Sequence, residues 1–137
     1  MQKPKLTLLG KVTEYPNHPD KAKLEPIPFK QQKSRLTVTL ESDEFTSLCP
    51  VTSQPDFGTI RIEFIPDRYI VESKSLKLYL YSFRNIGVFQ EEIVQRIHND
   101  LQKTLKPKYL KVTGYFKPRG SISITPVAES GKITPLP

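Results

Sequence analysis

The spacing of apolar residues changes period twice along this chain, and that double change is what most restricts its fold. In Arg35 to Leu40 the apolar residues Leu36, Val38 and Leu40 alternate with polar ones, and Ile60, Ile62 and Phe64 repeat the pattern further on. Alternation at period two buries one face of a strand. From Gln90 to about Leu105 the spacing becomes helical, with Ile93, Val94, Ile97, Leu101 and Leu105 on one face. Glu91 and Glu92 then stand in the first turn, where acids complement the helix dipole. Alternation returns in Tyr109 to Phe116 and in Ser121 to Thr125, joined by Lys117-Pro118-Arg119-Gly120, which reads as a hairpin turn. After Pro66 a short extended piece ends near Val71. Ser73 to about Phe83 is expected to be a short helix capped by Ser73 or Ser75, although Leu76, Leu78 and Leu80 also alternate. The order strand, strand, helix, helix, strand, strand predicts an α+β domain, with an antiparallel four-stranded sheet and both helices on one face. The other face and the sheet edges are left open, so the chain is expected to oligomerise.

At 137 residues and 36% hydrophobic, the chain has apolar material for one cored domain, expected over residues 35–137. No apolar run reaches 18 residues and no charged-then-apolar leader is readable, so a soluble, cytoplasmic protein is expected. The net charge of +7 is unevenly placed: residues 1–34 hold seven lysines against three acids, and five of the thirteen prolines. Those lysines alternate with Pro, Gln and Asn rather than with stacking aromatics. A solvated, loosely held basic arm is therefore expected, and nucleic acid is not the expected partner.

Cys49 is the only cysteine, which excludes an internal disulfide and a cysteine-based metal cluster within one chain; no metal site is expected. A lone cysteine is either a small buried hydrophobe or a nucleophile, and its neighbours must decide. They are Glu44-Phe45-Thr46-Ser47-Leu48-Cys49-Pro50-Val51-Thr52-Ser53-Gln54-Pro55-Asp56-Phe57, a thiol and a carboxylate seven residues apart between prolines. Two prolines and several hydroxyl residues suit a rigid excursion better than a sheet ladder, so Cys49 is expected on a loop.

This stretch resembles the catalytic loop of the QueF-type nitrile reductases. The resemblance continues in Glu72-Ser73-Lys74-Ser75-Leu76-Lys77-Leu78-Tyr79, in Ser82-Phe83-Arg84-Asn85, in Phe89 and Glu91, and in Phe116-Lys117-Pro118-Arg119-Gly120. These elements in the same order, over about residues 44–125, make chance similarity a poor explanation. The resemblance implies the tunnelling fold, assembled into a ring with active sites between subunits. It also implies reduction of 7-cyano-7-deazaguanine to 7-aminomethyl-7-deazaguanine with NADPH, in queuosine synthesis for transfer RNA.

Each residue then acquires an implied role. Cys49 would add to the nitrile carbon, making a thioimidate and dividing a hard reduction into easier steps. Asp56, which taken alone reads as a turn carboxylate, would give a proton to the nitrile nitrogen. Nitrile to amine takes four electrons, so two hydrides arrive in succession and water must be kept from the imine between them. Lys74, Lys77 and Arg119, with Ser75 beside them, would meet the NADPH phosphates, although the lysines alone read as a solvated helix face. No Gly-x-Gly-x-x-Gly loop is present to hold a dinucleotide in an α/β crevice. Glu91 would accept paired hydrogen bonds from the guanine-like edge, with Glu92 a neighbouring candidate for the same contact and with Gln90, Phe89, Glu72 and Ser73 also facing the substrate.

The chain departs from the family pattern at two positions. Family members usually carry histidine before the anchoring glutamate, whereas here Gln90 precedes Glu91, and Ile86 also stands where histidine is frequent. Glutamine can orient a ligand but cannot titrate near neutral pH. A sister reading, an archaeosine synthase that adds ammonia to the same nitrile in transfer RNA, would keep Cys49, Asp56 and Glu91. It would lose the lysine motif, which is intact here. A non-catalytic RNA-binding domain is the third reading.

Overall fold

The computed structural model describes residues 5–7, 10 and 14–133. Two long strands, β2 (Val38–Leu48) and β3 (Pro55–Ile65), form a hairpin, with a short strand β1 (Pro26–Pro28) before it. They are followed by β4 (Tyr69–Val71), the helices α1 (Ser73–Tyr81) and α2 (Gln90–Leu105), and the strands β5 (Tyr109–Phe116) and β6 (Val127–Gly131). The order in the main sheet is β2-β3-β5-β6, antiparallel throughout, while β1 and β4 form a separate two-stranded ribbon. The α+β class, the four-stranded sheet and both expected helices are therefore present.

Helix α2 turns its whole apolar face to the sheet: Ile93, Val94, Ile97, Leu101 and Leu105 are buried with Ile60, Ile62, Phe64, Leu110 and Val112. It stops because Lys106 takes a left-handed conformation (φ 46°) and Pro107 follows, unable to continue the hydrogen-bond ladder. Helix α1 begins at neither Ser73 nor Ser75. Its N-cap is Glu72, whose carboxylate accepts from the Lys74 and Ser75 N–H groups at 2.8 and 2.7 Å. The long side chain loops back to satisfy donors that a helix start leaves open.

Three expectations need correction. The stretch from Glu44 to Phe57 is mostly sheet: the ladder runs to Leu48↔Pro55, and only residues 49–54 form the loop. Pro55 is tolerated because it is the first residue of its strand. The last strand is Val127–Gly131 rather than Ser121–Thr125, because Gly120 (φ 53°) and Ser121 (φ 64°) form a two-residue turn closed by mutual Arg119–Ile122 backbone bonds of 3.0 Å. The chain must recover from that reversal before pairing again with β5. Finally, part of residues 1–34 is docked rather than loose. Pro26–Pro28 pair with Tyr69–Val71, Arg96 on α2 bonds Asp20 at 2.7 Å, and Glu25 is buried, accepting from the Thr7 N–H.

One irregularity positions the site. Between Ser42 and Phe45 the β2–β3 register shifts by one residue, a β-bulge. Before it the inward positions of β2 are even-numbered, at Val38, Leu40 and Ser42; after it they are odd-numbered, at Phe45 and Ser47. A single inserted residue reverses which face each side chain meets. Cys49, two positions beyond Ser47, follows that odd-numbered set and is buried like it.

Candidate active site

Cys49 opens the six-residue loop of the hairpin. Its N–H donates to the Gln54 carbonyl at 2.8 Å and its carbonyl accepts from Ser53 at 3.0 Å, with Ser53 in the left-handed region (φ 59°). On the other side, Leu48 bonds both Ile86 (3.0 Å) and Val88 (3.2 Å), so the segment leading into α2 is stitched to the end of β2. Cys49 is 8% exposed and is not part of the packed apolar cluster. Asp56, 5% exposed, stands directly across from Ser47 in the hairpin register.

Arg119 joins the two. The Gly120–Ser121 turn sends its guanidinium to Asp56, with Nη2 2.5 Å from Oδ1. Arg119 is also the largest cause lowering the Cys49 thiol to about 6, well below the ordinary value; the Thr52 hydroxyl and the Thr52 and Val51 N–H groups act in the same direction. The sulfur in turn pushes the Arg119 pKa further up, so the guanidinium stays charged. A thiolate is the reactive form of cysteine, and a neighbouring cation with backbone donors is the environment that favours it. Thr52 was not among the residues expected to act; its position in a tight turn after Cys49-Pro50 was the available signal.

The other expected residues divide into two groups. At the start of α2, Gln90 is 7% exposed and its Oε1 finds no hydrogen-bond partner among the described residues. Phe89 and Glu91 beside it are exposed. On α1, Ser73 and Lys77 line a groove of about 350 Å³ between that helix and β2, with Arg84 at its end and Glu41, Asp43 and Glu44 on the strand side. Cys49 and Asp56 do not line it. Lys77 and Arg84 suit anionic phosphates, which is the fit a phosphorylated dinucleotide needs, whereas the acids opposite suit only its uncharged parts.

Two expected contacts are engaged elsewhere. The Ser75 hydroxyl is fully buried, donating to the Glu72 carbonyl at 2.7 Å and accepting from the Glu25 N–H at 3.0 Å. That placement makes Ser75 a joint between the docked N-terminal segment and α1, not a phosphate contact. Glu72 has both oxygens committed to the helix start, so its carboxylate is a cap here rather than a free substrate ligand.

Similarity to known proteins can be set against this geometry. The sequence-family model described as QueF-like protein matches residues 55–135. The NADPH-dependent 7-cyano-7-deazaguanine reductase of Bacteroides thetaiotaomicron is 52% identical over 130 residues, covering 95% of this chain and 86% of that protein. The reductase of the same name from Porphyromonas gingivalis is 52% identical over 127 residues, covering 93% and 82%. That from Rhodopseudomonas palustris is 44% identical over 125 residues, covering 91% and 79%. Among solved structures, the apo archaeosine synthase QueF-Like superposes with a TM-score of 0.64 at 22% identity, over 76% of this chain and all of that one, which speaks for the shared fold. With half the residues shared along nearly the whole length, and with a thiol, a carboxylate and an arginine gathered at one hairpin end, the chain belongs to the QueF-like protein family.

Proposed function

We propose that this protein is an NADPH-dependent 7-cyano-7-deazaguanine reductase, working in the cytoplasm in queuosine synthesis. The observation that carries the reading is the convergence of Cys49 and Asp56 on one guanidinium, with the thiol held at about 6. At neutral pH the sulfur is then largely thiolate, the species that adds to a nitrile carbon. Asp56 gives a proton to the nitrile nitrogen, so it must hold one when substrate is bound.

Glu91 anchors the guanine-like edge, with Phe89 offering an exposed ring to stack on and Gln90 orienting the ligand by hydrogen bonds. NADPH supplies the hydrides; Lys74, Lys77 and Arg119 hold its phosphates. Ser73 lies beside Lys77 on the groove and Glu72 supports it by capping the helix. The groove that Lys77 lines does not include Cys49 or Asp56, and the complete site draws on two subunits of a ring assembly. The sheet supports that assembly too: β2 and β6 are its outer strands, and Phe57, Tyr115 and Val127 are exposed.

The test is intact-mass analysis after mixing with 7-cyano-7-deazaguanine. Wild type is expected to gain the whole substrate mass and Cys49→Ala to gain none. Consumption of two NADPH per amine then selects reduction, whereas ammonia-dependent product on transfer RNA without NADPH selects the archaeosine synthase reaction.

A further inference from the structure

Ser47 is fully buried, yet its hydroxyl finds no hydrogen-bond partner among the described residues. Burial without a partner removes a hydroxyl from water and returns nothing, so alanine would serve the fold at least as well. Phe45 flanks it on the same strand face, and that residue is packed against Phe83 and Phe116, so the surroundings call for an apolar side chain. The polar group is therefore unexplained by packing, and its neighbours supply the explanation. Directly across the β2–β3 ladder is Asp56. Directly opposed residues share a face, with Cβ atoms about 5 Å apart, a span that a serine hydroxyl and a carboxylate bridge by a turn about χ1. Arg119 meets the same carboxylate at Oδ1, from the side of the Gly120–Ser121 turn.

We propose that Ser47 is a positioning residue for Asp56: its hydroxyl donates to the carboxylate that forms when Asp56 gives up its proton, holding it in the orientation the reaction needs. The inference rests on the reductase reading and deepens it. In the step concerned, the Cys49 sulfur bonds the nitrile carbon and one carbon–nitrogen π bond breaks. The electron pair moves to nitrogen, the Asp56 O–H bond breaks and a new N–H bond forms. Ser47 exchanges no proton. It supplies a second donor, from the strand side, to a carboxylate that Arg119 holds from the other.

The experiment is the rate of mass-adduct formation with 7-cyano-7-deazaguanine in Ser47→Ala and Ser47→Thr. Ser47→Ala is expected to form the adduct about tenfold more slowly, the loss of one hydrogen bond to a charged group. Its urea midpoint should equal or exceed that of wild type, and the alkylation of Cys49 by iodoacetamide should be unchanged. Ser47→Thr, which keeps the donor, should recover most of the rate. An adduct rate in Ser47→Ala within twofold of wild type overturns the proposal. So does a slower rate accompanied by a lower urea midpoint or slower alkylation, which would mark a packing role. If wild type itself forms no adduct, the reductase reading falls first; a normal wild-type adduct with an indifferent Ser47→Ala removes the role of Ser47 alone.

Discussion

The Cys49 thiol has its pKa lowered first by a residue from a distant part of the chain. The sulfur is held at about 6 by Arg119 first, then by the Thr52 hydroxyl and by local N–H groups. Because this pKa is depressed, the thiolate is present above about 6 and is lost as pH falls through that value. Iodoacetamide alkylation, followed by mass, should therefore be half-maximal near pH 6 and flat towards neutrality. Arg119→Ala should move the midpoint up towards the ordinary thiol range, and Thr52→Ala should move it less. A profile for Arg119→Ala that overlays wild type would exclude the guanidinium as the dominant cause. If Arg119 also serves the NADPH phosphates, saturating NADP⁺ should shift the same midpoint upward, since one guanidinium cannot hold both partners fully.

The secondary-structure elements carry their own tests. Glu72 caps α1 with both oxygens while buried, so Glu72→Ala leaves two backbone donors open and is expected to cost about 1–2 kcal/mol in urea unfolding. Glu72→Gln, which keeps one acceptor, should cost less. At the C-terminal end of α2, Lys106 occupies a left-handed conformation without the freedom of glycine. Lys106→Gly is expected to stabilise by about 0.5–1 kcal/mol, and unchanged stability would mean that the lysine stem offsets the strain. The bulge at Ser42–Phe45 absorbs one extra residue of β2, so deleting Asp43 should restore regular pairing, leave Ser47 opposite Asp56 and keep adduct formation.

For the whole molecule, packing is close where α2 crosses β5. A methyl group on Gly114 would lie 2.6 Å from Phe116 and 2.7 Å from Val94, both in the core. Gly114→Ala should cost about 1–3 kcal/mol through overpacking, read from the urea midpoint. At the assembly scale, sedimentation should show a multimer many times the mass of one chain. Mixing Cys49→Ala with Lys77→Ala should restore part of the lost reductase activity, because sites built from two subunits can draw the intact residue from each. Failure of that complementation would place the whole site within one chain.

Apolar periodicity by itself determined the elements whose burial is one-sided and continuous: α2 from Gln90 to Leu105 and β5 from Tyr109 to Phe116 have the bounds that the sequence predicts. The family motifs likewise pointed to Cys49 and Asp56 as a pair. What only the tertiary structure decided was everything resting on register or on long-range donors. The bulge that turns Ser47 inward, the reversal at Gly120–Ser121 that brings Arg119 to the thiol, and the commitment of Glu72 and Ser75 to the helix start are examples. Periodicity reports which face is buried and carries no information on a one-residue slip. Nor does a lysine- and serine-rich motif reveal which hydroxyls and carboxylates the backbone has already taken. Those outcomes depend on pairing between segments tens of residues apart, where hydrogen-bond satisfaction in the folded state makes the choice.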